Sequence, residues 1–191
     1  TASTPAAAGS YPWTIPDDIS STVKVRITNL DDATVTSASP ANFSIKGSLT
    51  IVAPNGGEAW SIGSAQTVTW TKTGTIGNVR LDYSTDGGLT YPNVITLSTP
   101  AASLSYAWTV PDTPTTQARV KITLIDDTSV NDASDGNFGI KGTVTLTAPN
   151  GGETWVVGES RTITWTRTGA IANLKLEYST QAGATYPNLL T

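Results

Sequence analysis

The chain repeats itself with an offset of 95 residues. Residues 53–58, Ala-Pro-Asn-Gly-Gly-Glu, return as residues 148–153, and the Thr-Val-Thr-Trp-Thr run at 67–71 returns at 162–166 with isoleucine in place of valine. Sliding the whole chain by this offset needs no insertion or deletion. Because a unit of this length is close to the size of an immunoglobulin-like sandwich, about 100 residues, the repeat predicts an array of small domains.

The phase of the repeat predicts how the chain is divided. Thr1, Thr96 and Thr191 fall at the same position of the repeat. We therefore expect a longer repetitive polymer, or a subunit whose half-domains are completed by its neighbours. The predicted parts are the C-terminal half of one repeat, one complete repeat and the N-terminal half of the next: residues 1–47, 48–142 and 143–191.

Hydrophobic residues alternate with polar ones along most of the unit, as Val79, Leu81 and Tyr83 do with Arg80 and Asp82. This period of two is typical of half-buried strands, turn residues recur every 8 to 12 positions, and no helical period is present. About seven strands are expected in each complete unit. The predicted fold class is all-β, with tandem immunoglobulin-like or fibronectin type III-like antiparallel β-sandwiches.

The tryptophans separate into two groups. Trp60 and Trp155 follow a Gly-Gly-Glu turn, so we expect them near a domain end, packed against the adjoining unit; a sugar-stacking platform is the alternative. The other four share a strand face with aliphatic residues and are predicted to be core residues: Trp13, Trp70, Trp108 and Trp165. The alternation around Trp13 predicts a strand at residues 11–15 with its aromatic face inward.

Successive units are joined by very short links. Only Gly47 and Ser48 separate the last predicted strand of one unit from the first strand of the next. Flexible linkers need more length than this, so we expect a stiff rod. The predicted junction residues are Lys46, Gly47, Ser48, Lys141, Gly142 and Thr143, together with Trp60 and Trp155.

One turn differs between units in an informative way. Residues 86–88, Asp-Gly-Gly, become Gln-Ala-Gly at residues 181–183. Since only the last glycine is kept, we expect its position to require a positive φ and the preceding position not to require one.

Composition argues against catalysis and against several partners. The sequence contains no His and no Cys, so neither a serine nor a cysteine triad can form and zinc lacks its usual ligands. Glu58 and Glu153 recur, but each stands alone at a turn. The net charge of −4 and the low charged fraction of 14% disfavour nucleic acid and anionic membranes, and no apolar run is long enough for a membrane span. We therefore expect no enzyme, no cofactor and no membrane segment here.

Acidic residues crowd one loop of the complete unit. Carboxylate oxygens of this kind bind Ca²⁺, which makes a weak calcium site the candidate. The spacing does not match an EF-hand, and the first unit has Ser37 and Pro40 in place of Asp132 and Asp135, so a site common to all units is not expected. The candidate ligands are Asp126, Asp127, Asp132 and Asp135.

Two features concern glycans. Residues 42–44 form an Asn-Phe-Ser glycosylation sequon, which the next unit lacks, and the outward threonines of residues 67–73 are candidate O-glycosylation positions. The β-propensity of threonine explains those residues equally well.

The repeated motifs resemble a known family. The Ala-Pro-Asn-Gly-Gly-Glu-x-Trp signature at 53–60, the Trp-Thr-Val-Pro run at 108–111 and the Ser-Asp-Gly-Asn-Phe-Gly-Ile run at 134–140 resemble tandem repeats of large bacterial surface proteins, which are similar to Kre9/Knh1-like Ser/Thr-rich cell-wall domains. This resemblance implies an immunoglobulin-like module of an extracellular or wall-associated protein, without catalytic residues.

The expected function is therefore structural: a repeat module of an extracellular filament or giant cell-surface fibre that self-associates head to tail. The alternative is a carbohydrate-binding or spacer module of a secreted adhesin or polysaccharide-degrading enzyme.

Overall fold

The computed structural model describes residues 3–190; Thr1, Ala2 and Thr191, the outermost residues of the two predicted half-repeats, lie outside the described residues. The chain is all-β, as predicted. Within the described range there are two 3₁₀ turns, Ala6–Ala8 and Ala101–Ser103, and no α-helix. No helix in this range has the length and apolar character needed to cross a membrane.

Seventeen strands follow one another along the described residues. The first half-unit contains β1 (Ser20–Val23), β2 (Arg26–Thr28), β3 (Thr36–Ala38) and β4 (Phe43–Ile45). The complete unit contains β5 (Ser48–Ala53), β6 (Ala59–Ser61), β7 (Ala65–Thr73), β8 (Asn78–Ser84), β9 (Asn93–Pro100), β10 (Ser105–Thr109), β11 (Thr115–Leu124), β12 (Asn131–Ala133) and β13 (Phe138–Lys141). The third unit contains β14 (Thr143–Ala148), β15 (Thr164–Thr168), β16 (Glu177–Tyr178) and β17 (Asn188–Leu189).

The complete unit is a sandwich of two sheets. One sheet has the order β10-β7-β5, and the other has the order β6-β13-β11-β8-β9 with β12 also paired to β11. All pairs are antiparallel except β6 with β13. The unit therefore has nine strands rather than the expected seven or so, and the short strands β6 and β12, of three residues each, account for the difference.

The core lies between the two sheets. Val68 and Trp70 of β7 contribute from one side, and Leu81 of β8 and Ile122 of β11 contribute from the other. Of the four tryptophans predicted to be core residues, Trp70 and Trp108 are buried, whereas Trp13 and Trp165 of the half-units are partly exposed. The indole Nε1–H of Trp70 donates to the carbonyl oxygen of Ala101 at 2.9 Å, so the 3₁₀ turn at Ala101–Ser103 provides the acceptor that this buried donor needs.

The two half-units keep the strand registers of the complete unit. Ser20 lies opposite Ile45 in the first unit just as Thr115 lies opposite Ile140 in the second. The same correspondence, shifted by 95 residues, holds for β2–β3 with β11–β12, for β14–β15 with β5–β7, and for β16–β17 with β8–β9. Each half-unit therefore keeps the strand pairing of the corresponding part of the complete sandwich.

The strand predicted at residues 11–15 is absent from the structure. Its counterpart β10 is a strand because it pairs with β7, and the described residues of the first unit include no equivalent of β7. The same reasoning explains residues 154–156, whose counterpart β6 pairs with β13 in the complete unit. Alternation in the sequence indicates a capacity to form a strand, which needs a partner to be realised.

One turn prediction was only half right. Gly88 and Gly183 have φ values of +88° and +85°, as expected. The preceding position also has a positive φ, however, with +78° at Gly87 and +50° at Ala182. The third unit therefore places a non-glycine residue in the left-handed region, where an L-residue is strained.

Candidate functional site

The junction between successive units is closely packed around a glycine. A Cβ atom added to Gly47 would lie 2.5 Å from Ile76 Cγ2 and 2.6 Å from the carbonyl oxygen of Thr73 in the next unit. At the second junction, a Cβ on Gly142 would lie 2.5 Å from the carbonyl oxygen of Thr168. These distances are too short for any side chain, so the predicted link residue Gly47 lets the two backbones come into contact.

An aspartate of one unit binds a loop of the next unit. The Asp17 carboxylate accepts the backbone N–H of Thr75 at 2.9 Å and its hydroxyl at 2.6 Å. The hydrogen bond from the Thr75 side chain is the main reason that the pKa of Asp17 lies below its ordinary value. At the second junction Asp112 accepts the N–H of Ala170 at 3.0 Å, so the backbone bond recurs and the hydroxyl bond does not.

A lysine holds the other side of the first junction. Lys46 Nζ lies 2.9 Å from Asp127 Oδ2 and also contacts the Ser129 hydroxyl. The Ser129 hydroxyl and the Lys46 ammonium lower the pKa of Asp127 to about 2. Lys141 occupies the position of Lys46 at the end of the complete unit.

Ile62, rather than Trp60, contacts the next unit at the second junction. Ile62 is buried, and its Cδ1 would lie 2.5 Å from a Cβ on Gly169. Trp60 instead packs within its own unit, with ring centroids 5.8 Å from Trp108 and 5.0 Å from Phe138. The prediction that Trp60 packs against the adjoining unit is therefore corrected: its strand β6 pairs with β13, and this pairing turns the indole into the core.

Trp155, the counterpart of Trp60, is partly exposed. Its segment belongs to the third unit, where the described residues include no equivalent of β13 to pair with it. The position of Trp155 is thus that of an uncovered core residue, and none of the junction contacts described above involves it.

The Pro-Asn-Gly-Gly-Glu motif forms a self-capped loop. The Glu58 carboxylate accepts the N–H groups of Asn55 and Gly56, both at 2.8 Å, and Glu153 repeats both bonds in the third unit. Partial burial acts to raise the pKa of Glu58, but the backbone donors outweigh this effect and the pKa is lowered. The two glutamates therefore have a structural role in this loop.

The same loop is clamped to a distant part of its unit. The Asn55 side chain donates to Asp135 Oδ2 at 2.8 Å and accepts the Asp135 N–H at 2.7 Å, across 80 residues of sequence. Gly136 completes the clamp, because a Cβ there would lie 3.1 Å from Gly56 Cα. The motif at residues 53–60 and the motif at residues 134–140, both of which carry the family resemblance, are therefore in direct contact.

The four candidate calcium ligands do not converge. Asp127 binds Lys46, Asp135 binds Asn55, and Asp132 accepts the backbone N–H of Ile51 at 2.7 Å, while Asp126 lies beside Gly77. No group of three His, Cys, Asp or Glu residues suited to a metal ion occurs within residues 3–190. The carboxylates of Asp127, Asp132 and Asp135 instead accept bonds within loops or at the first junction.

The outward threonines form rows of hydroxyl groups on the β10-β7-β5 sheet. The hydroxyls of Ser48 and Thr73 are hydrogen-bonded across strands at 2.8 Å, and those of Thr147 and Thr164 are bonded at 2.7 Å in the third unit. Asn42 of the sequon is exposed. Nothing in these positions selects a glycan.

A cavity of about 370 Å³ opens on the third unit, lined by Trp165, Ile171, Leu174 and Leu176 among others. These residues correspond to buried core residues of the complete unit, so the cavity is uncovered core rather than a ligand site. A second cavity, of about 410 Å³, lies at the first junction beside Lys46 and Ile76.

The chain matches no protein-family model, no curated protein and no solved structure.

Proposed function

We propose that this chain is a structural repeat module of an extracellular filament or giant cell-surface fibre, built from β-sandwiches stacked head to tail. The observation that carries the proposal is the recurrence of the junction. Asp17 with Thr75 and Asp112 with Ala170 make the same aspartate-to-backbone bond, separated by 58 residues in both cases. A contact that returns with the period of the repeat is the property a tiled polymer requires.

The junctions favour a mechanical role. The complete unit buries its own core, and backbone contact at Gly47 combines with bonds from Asp17 and Lys46 to oppose bending at the link. So short a link leaves little slack between adjacent units, and the direct contacts restrict their relative motion further. A rod of immunoglobulin-like or fibronectin type III-like modules is the architecture that we infer, with no enzymatic activity.

The proposed location is the bacterial cell surface or the extracellular medium. The threonine-rich outer strands and the resemblance of the repeat to surface-protein modules support this location. The junction chemistry suits it as well, since none of it depends on a thiol or on a metal ion.

Negative-stain electron microscopy of the purified chain at rising concentration tests the proposal. We expect uniform threads with a longitudinal spacing equal to one unit. Discrete round particles at every concentration would contradict a filament role. A glycan array provides the matched test of the carbohydrate-binding alternative, for which selective binding to one glycan class would be the supporting result.

A further inference from the structure

The two half-units expose surfaces that the complete unit buries. Trp165 is 39% exposed although its counterpart Trp70 is 2% exposed, and Trp13 is 44% exposed although its counterpart Trp108 is 7% exposed. Val157, the counterpart of the buried Ile62, is fully exposed. Apolar faces of this extent mark interaction sites.

Part of the first half-unit already holds the geometry that its counterpart has in the complete sandwich. The rings of Trp13 and Phe43 lie 6.3 Å apart at 86°, and those of Trp108 and Phe138 lie 6.5 Å apart at 85°. The turn Ala6–Ala8 reproduces Ala101–Ser103, including the left-handed residue that ends it, Gly9 or Leu104. The turn and the aromatic pair of the first half-unit therefore need little reorganisation to join a sandwich.

The side chains of the two halves also make up a full core. When each buried core residue of the complete unit is traced to its counterpart in the half-units, every position is again apolar or aromatic except Asn29, which replaces Leu124. Several counterparts differ only by a methyl or methylene group, such as Ile163 for Val68 and Leu174 for Val79, and cores tolerate exchanges of this size.

We propose that residues 3–47 of one copy of the chain complete the sandwich begun by residues 143–190 of a second copy. Residues 10–14 of the first copy add to β15 of the second as an antiparallel strand, in the register that β10 takes on β7, so that Ser10 lies opposite Thr164. The indole Nε1–H of Trp165 then donates to the carbonyl oxygen of Ala6, as Trp70 donates to Ala101. This assignment rests on the proposed head-to-tail stacking and names its partner as a second copy.

The two half-units of a single copy are held apart by the complete unit. The first half-unit contacts the complete unit at residues 73–76, just after β7 ends, and the third unit contacts Ile62, just before β7 begins. Nine residues of strand separate these contacts by about 30 Å at about 3.4 Å per residue. The two half-units therefore attach at opposite ends of the complete unit, and closure between copies produces a chain of copies.

We call the sandwich formed by residues 3–47 of one copy and residues 143–190 of another the composite sandwich. One part of it should fit less well than in the complete unit. The clamp of Asn55 uses the backbone N–H of Asp135, and the first half-unit has Pro40, which lacks this donor, at that position. Ala41 replaces Gly136, whose Cα approaches Gly56 closely. The composite sandwich should consequently open before the complete unit does.

Cysteine cross-linking of the full chain tests the proposed register, since the chain has no cysteine of its own. Under oxidation, S10C/T164C should give a ladder of disulfide-linked multiples of 19.8 kDa on a non-reducing gel. The positive control is S105C/T69C, which places the same pair inside one unit and should link without a ladder. The register control is S10C/T166C, in which the Cα atoms should be too far apart for a disulfide.

Equal ladders from S10C/T164C and S10C/T166C, or no ladder while the positive control links, would overturn the inference. If threads still form in the microscope when the ladder is absent, stacking survives and the half-unit exchange alone is wrong. If the ladder forms but the particles remain short and round, the exchange is right and the filament function is wrong.

Discussion

The carboxylate of Asp17 binds both the N–H and the hydroxyl of Thr75 across the first junction, whereas Asp112 binds only the N–H of Ala170 across the second. The two junctions of one chain thus differ by one hydroxyl group. Orientation at the first junction is fixed by two bonds to a single carboxylate, so the first junction should be the more rigid of the two.

Adding the missing hydroxyl should stiffen the second junction. In A170T, the new side chain lies where Thr75 lies at the first junction and can donate to Asp112. We expect slower tryptic cleavage after Arg167 in A170T. In T75A we expect faster tryptic cleavage at the first junction, because the junction opens more readily. Unchanged cleavage in both variants would show that the hydroxyl has no part in holding the units.

A side chain on Gly47 should open the first junction. G47A places a Cβ within 2.6 Å of a carbonyl oxygen of the next unit, and overpacking of this kind costs about 1–3 kcal/mol. Cleavage by trypsin after Lys46 should rise about tenfold, the factor that corresponds to about 1.4 kcal/mol. G139A is the control, because its Cβ would meet no atom closer than 3.8 Å and the first unit already has Ser44 there; equal cleavage of the two variants would contradict close contact at Gly47.

The ion pair between Lys46 and Asp127 should break only in strong acid, where the carboxylate becomes protonated. The folded pKa of Asp127, about 2, lies below the ordinary value of 3.8, so the pair contributes fully above pH 3.8 and loses its contribution as the pH falls towards 2. Carbon-detected NMR titration of the carboxyl group measures this pKa. It should rise in S129A and in K46M, and an unchanged pKa in K46M would mean that the two units do not touch there.

Truncation of the buried indole should destabilise the complete unit. W70F removes the bond to Ala101 and leaves a cavity, which together should lower the free energy of unfolding by about 2–4 kcal/mol. Chemical denaturation followed by circular dichroism measures this change. W165F, the same substitution in the third unit, should leave the transition of the complete unit in place because that unit does not contain Trp165, and a loss in that transition equal to the loss in W70F would contradict a separate core in the complete unit.

Local periodicity predicted much of the sandwich. The alternation at Val79, Leu81 and Tyr83 indicated β8 and its inward face, and the apolar neighbours of Trp70 and Trp108 identified both as core residues. These features depend on residues close in sequence, so period and composition are enough to detect them.

Contacts between distant residues could not be predicted in this way. The clamp between Asn55 and Asp135 spans 80 residues, and the burial of Trp60 depends on a parallel pairing of β6 with β13. The strand expected at residues 11–15 was wrongly predicted for the same reason. Its sequence alternates as a strand does, but the described residues of the first unit include no partner strand for it. The grouping of Asp126, Asp127, Asp132 and Asp135 in sequence likewise gave no information on where each carboxylate points.

A fixed orientation between successive units is the central claim, and a distance measurement tests it most directly. Spin labels at S37C and T109C, both on exposed strand positions of adjacent units, report the relation between those units by double electron–electron resonance, with labelled chains diluted in unlabelled ones. We predict one narrow distance distribution that G47A broadens. A distribution in the unmodified junction as broad as that of a flexible linker would contradict the account.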